Sequence, residues 1–81
     1  MITDDLKTRY YDGTLDWYLS TVDDRCLLNN YLVELDELIK QQKEILIYNK
    51  NNVSIQRSIS NLSIVREKVY NRMAQYKPII S

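Results

Sequence analysis

The 81-residue chain contains no histidine, one cysteine, one glycine and one proline, and each shortage closes off a class of chemistry. Without histidine there is no ready general base near neutral pH, no Cys–His nucleophile pair and no imidazole to complete a zinc site. The single cysteine, Cys26, has no partner for an internal disulfide and reads as a small hydrophobe in a reducing compartment. One glycine, Gly13, does not make a phosphate-cradling loop. The carboxylates are spread along helix faces rather than gathered in an evident pocket. These shortages predict a non-enzymatic protein with no metal, no cofactor and no small-molecule substrate.

Long apolar runs are missing as well. The longest, Ile45-Leu46-Ile47-Tyr48, falls far short of the roughly 18 residues that span a bilayer. Met1-Ile2-Thr3-Asp4-Asp5 is acidic where a signal peptide is basic. The expectation is a soluble, cytoplasmic protein with no membrane partner. Abundant Asn, Ile, Tyr and Lys match the AT-rich coding sequences of many phages, viruses and low-GC bacteria.

Charge is present in balance but not evenly. The formal net charge is zero, yet residues 1–49 hold five basic and ten acidic side chains, net −5. Residues 50–81 hold six basic side chains and Glu67 alone, net +5. Such a split fits either an acidic arm joined to a nucleic-acid-binding end or two helices that attract each other.

Apolar periodicity predicts an all-α fold. Leu28, Leu32, Leu35, Ile39, Gln42 and Leu46 recur at four- and three-residue spacings, widened by Tyr31, Leu38 and Ile45. Gln42 is the polar member of this seam, a device that can fix register or oligomer state. A second stripe comprises Ile55, Ile59, Leu62, Val69, Met73 and Tyr76, flanked by Val65 and Tyr70. Lys50-Asn51-Asn52 is the turn between them, and Pro78 stops the second helix, so that helix spans 53–77 and 78–81 is a tail. Serines 54, 58, 60 and 63 make its first half the softer part. An antiparallel hairpin folded about residue 51 places Arg66 against Asp36, whose numbers sum to about 102, and predicts a salt bridge there.

Residues 1–13 read as an arm or a short helix, with Thr3 as cap, Asp4 and Asp5 at its positive end, and Ile2, Leu6 and Tyr10 on one side. Asp12-Gly13 is a turn signal. Thr14 is the expected cap of a helix over 14–49, either continuous or kinked near 21–23, where Thr21 and Asp24 form an imperfect capping box. The whole chain is one small domain. A lone hairpin leaves both stripes half covered, so the N-terminal helices or a second copy must complete the core. Self-association as a homodimer is therefore expected.

Function is sought in two places. Tyr10, Tyr11, Trp17 and Tyr18 put four of the eight aromatics into nine residues, with Asp12 and Asp16 alongside. These rings serve either as the end of a thin core or as a contact patch, since Trp and Tyr are enriched at binding hot spots. The patch predicts a protein partner and a role as adaptor, assembly factor or inhibitor of a larger complex. The alternative is a DNA-binding transcriptional regulator, in which Lys50, Arg57, Lys68 and Arg72 form an exposed positive line opposite the apolar stripe. Leu62-Ser63-Ile64 followed by Val69-Tyr70-Asn71-Arg72-Met73 resembles the turn and recognition helix of phage regulators and site-specific recombinases. Ser63 stands where those proteins usually place a glycine, and the unbroken stripe from Ile55 to Tyr76 predicts one continuous helix. Glu34-Leu35-Asp36 resembles the core motif of small helical sporulation phosphatases, but its flanking residues differ from theirs, and the activity is not carried over.

Overall fold

The computed structural model describes residues 3–75, apart from the side chain of Thr3. The expectations for Ile2, the Thr3 cap, Tyr76 and Pro78 lie outside the described residues. Four helices make up the fold: α1 (Thr3–Asp12), α2 (Leu15–Thr21), α3 (Arg25–Tyr48) and α4 (Val53–Gln75). No strand occurs among the described residues, and the fold is all-α.

Local chemistry sets the helix ends. In α1, Asp4 and Asp5 occupy the first turn and Arg9 the last, the arrangement the helix dipole favours, and Arg9 Nε donates to Asp5 at 3.1 Å. Gly13 takes φ 81°, a left-handed conformation that glycine adopts without steric cost. The reversal lets Gly13 N–H donate to Tyr10 and Thr14 N–H donate to Arg9, which satisfies the last carbonyls of α1.

Thr14 holds the expected N-cap position of α2, where its carbonyl accepts from Tyr18 N–H at 2.9 Å, but its side chain makes no capping hydrogen bond and its hydroxyl donates to Asp12 Oδ1 at 2.6 Å. The expected Thr21 cap is corrected: Thr21 ends α2 and its hydroxyl donates back to the Tyr18 carbonyl at 2.7 Å. Asp24 is the cap of α3, accepting from the N–H groups of Cys26 and Leu27. Between them Val22 is extended and buried, so residues 14–49 form two helices hinged where a valine turns into the core.

The α3–α4 connection is short. Asn49 closes α3, and Asn52 Oδ1 accepts from Ile55 N–H at 3.2 Å to open α4. From Val53 to Gln75, α4 runs without interruption. The turn that a helix-turn-helix needs at Leu62-Ser63-Ile64 is absent, because Leu62 is buried mid-helix and continues the stripe.

α3 and α4 share the largest helix–helix contact, while α1 and α2 lie across one end of the pair. The core gathers Leu28, Leu35 and Ile39 from α3, Leu62, Val65 and Val69 from α4, Leu6 from α1, and Leu15 and Leu19 from α2. Among the described residues, the layer reaches Asn61 and Ser58, and nearer the 49–52 turn Ile45, Ile47, Tyr48 and Val53 are exposed. The described chain is elongated, 50 × 27 × 19 Å. Arg66 Nε donates to Asp36 as expected, but the two side chains are 40% and 56% exposed, so water already solvates both charges.

Burial and exposure set the scale of two substitutions. Leu35→Ala removes a fully buried side chain and should cost about 2–4 kcal/mol by thermal denaturation. Asp36→Ala should cost only about 0.5 kcal/mol, a fall of a few degrees in Tm.

Candidate functional site

α1 and α2 form a layer over one end of the hairpin, and this layer carries all six residues of the aromatic–acidic cluster. Its inner face is locked by polar contacts. The hydroxyls of Tyr18 on α2 and Tyr31 on α3 are 2.9 Å apart and share a hydrogen bond. The Arg9 guanidinium lies 4.1 Å from the centre of the Tyr18 ring, a cation–π contact. Burial, and then the hydrogen bond to Tyr18, push the Tyr31 phenol well above the usual range, so it stays protonated. Tyr10 packs against the core, its ring tilted against Tyr11 with centroids 5.7 Å apart.

The outer face differs. Leu15 and Leu19 turn inward on the seven-residue α2, which puts Trp17 on the opposite side, 66% exposed. Tyr11 is 72% exposed, although its hydroxyl accepts from Asn61 Nδ2 at 3.4 Å. The Thr14 hydroxyl holds the Asp12 carboxyl below the usual carboxylate range. Asp16 accepts from Lys68 Nζ at 2.8 and 3.1 Å. The cluster is thus divided: Tyr11, Asp12, Asp16 and Trp17 reach water, while Tyr10 and Tyr18 are half-buried supports.

The expected basic line is broken. Lys50 and Arg57 are exposed, but Lys68 and Arg72 face α2. Arg72 Nε donates to the Leu19 carbonyl at 2.8 Å, and its Nη2 donates to Val22 at 2.9 Å and Ser20 at 3.5 Å. These carbonyls lie at and just past the end of α2, where the Leu19 carbonyl also accepts from Val22 N–H at 3.2 Å, so the guanidinium sits at the negative pole of that helix. The same nitrogen lies 3.6 Å from Asp23 Oδ1. Seen against the hairpin alone, positions 68 and 72 look outward; α2 covers that flank and turns them inward. The clamp on α2 was not foreseen. The available signal was an arginine one helical turn from Val69, on the edge of the apolar stripe.

A cleft between Tyr10, Tyr11, Asn61 and Leu62 holds only about 60 Å³, and the wider hollows, such as one of about 310 Å³ beside Lys68 and Arg72 and one of about 440 Å³ at the 48–52 turn, are shallow and open to solvent. Among the described residues no group of three or more His, Cys, Asp or Glu is placed to hold a metal ion. No helix among them is long and apolar enough to cross a membrane. No protein-family model matches the chain, and no curated protein or solved structure matches it either.

Removing the clamp should loosen the layer before the hairpin. Arg72→Ala is expected to speed amide exchange across 15–22 at least about tenfold, with α3 amides near Leu35 changing less. Arg72→Lys, which lacks the planar fork, should recover only part of the protection.

Proposed function

We propose that the chain is a non-enzymatic protein–protein interaction module, working as an adaptor, assembly factor or inhibitor within a larger complex. The observation that carries this reading is Trp17, a large aromatic held in water on a short helix that is fixed from beneath. Lys68 and Arg72 bind α2 to α4, and the Tyr18–Tyr31 hydrogen bond binds α2 to α3. A rigidly presented indole loses little conformational freedom on binding, which is what makes such residues effective anchors. Tyr11 adds a second exposed ring to the same layer, and Asp12 and Asp16 give it an acidic rim. The engagement of Lys68 and Arg72 with α2 favours this reading over phosphate contact, since it leaves Lys50 and Arg57 as the only outward members of that basic set. The abundance of Asn, Ile, Tyr and Lys fits a phage, viral or low-GC bacterial source.

Capture of partners by the tagged chain from its native cell, with and without nuclease, tests the proposal. A stoichiometric protein partner that survives nuclease is expected. Trp17→Ala should weaken its binding at least about tenfold, or roughly 1.4 kcal/mol, with Tm nearly unchanged. Capture of nucleic acid alone, released by salt, would refute the reading. A Trp17→Ala chain that no longer folds would place Trp17 among the structural residues.

A further inference from the structure

Among the described residues, the N-terminal layer stops partway along the hairpin, and the face it rests on continues without it. Residues seven apart on a helix lie on nearly the same face. On α3 that line runs Tyr31, Leu38, Ile45: Tyr31 meets Tyr18, Leu38 is half-buried against the core, and Ile45 is 44% exposed. On α4 the line runs Lys68, Asn61, Ser54: Lys68 meets Asp16, Asn61 meets Tyr11, and Ser54 is exposed. The continuation leads to the 49–52 turn, where Tyr48 is 87% exposed.

Charge indicates what covers this bare half. Between Ile45 and Arg66 there is no acidic residue, and Lys50 and Arg57 are exposed. The N-terminal layer carries Asp4, Asp5, Asp12 and Asp16 against Lys7 and Arg9, and Lys68 and Arg72 of α4 dock on it, so as packed it is near neutral with Asp12 and Asp16 on its outer face. A bare half therefore repels its own kind but not an N-terminal layer, whose exposed Trp17 and Tyr11 match it in apolar character and whose outward Asp12 and Asp16 suit its basic groups. We propose that a second copy of the chain covers the bare half, antiparallel about a two-fold axis, with each copy's N-terminal layer resting on the other's open hairpin end. This rests on the interaction-module reading and names its partner. The described chain is thick at one end and thin at the other, so two copies nest with opposite ends together. The two contacts are equivalent, and the assembly closes at two copies.

Sedimentation velocity of the full chain tests the proposal. The wild type is expected to be a dimer. Ile45→Asp and Trp17→Ala should each raise the dimer dissociation constant at least about tenfold while helicity by circular dichroism is kept. An equimolar mixture of the two variants should dimerise better than either alone, because one of the two contacts is then wild type on both sides. Where Ile45→Asp costs helicity, Arg57→Glu replaces it and should give the same loss. A monomeric wild type that still binds a different protein through Trp17 would overturn the dimer and leave the interaction reading standing. A dimer weakened by Ile45→Asp but untouched by Trp17→Ala would also overturn the proposal, since it would mean contact between two hairpin ends.

Discussion

Two helices packed side by side shield only the facing edges of their apolar stripes, and that constraint governs the rest of this chain. α3 and α4 bring Leu28, Leu35, Val65 and Val69 together, and these four are fully buried in one core with Leu6, Leu15 and Leu19 of the N-terminal layer. The N-terminal layer is therefore part of the core and not an appendage. Because it covers one end of the hairpin, it also creates the contrast between a three-layered end and an open one.

The layer is held by contacts of different kinds. Apolar burial supplies most of the attraction but little direction. Direction comes from Arg72 on the last carbonyls of α2, Lys68 on Asp16, and the Tyr18–Tyr31 hydrogen bond. Each joins α2 to a different point of the hairpin, and together they fix the helix that presents Trp17. Polar groups beneath α2 thus set the position of an apolar group above it. This is how a seven-residue helix, too short to be stable alone, holds the backbone that carries Trp17 in place.

Legibility from sequence followed the range of the interaction. The helical periods, the turn at 50–52 and the Arg66–Asp36 pair depend on spacing within or across one hairpin, and the residues themselves specify them. The caps were less legible. Thr14 and Thr21 have suitable side chains, but Asp12 and Asp24 are stronger acceptors nearby, and the threonine hydroxyls bond elsewhere. The basic line failed for a related reason: a helical wheel of α4 shows which residues face away from α3, not which of them meet a third helix.

Residue order along each helix sets the all-α class, the four-and-three apolar rhythm and the uneven placement of charge. Tertiary structure alone decided which aromatics reach water and which arginines are engaged. Tyr18 and Trp17 are neighbours of similar character, yet one lies against Tyr31 and the other in solvent. A rotation of α2 by one residue, about 100°, would carry Trp17 into the place of Tyr18. Only the packing of Leu15 and Leu19 into the core, with Arg72 holding the end of the helix, selects between the two.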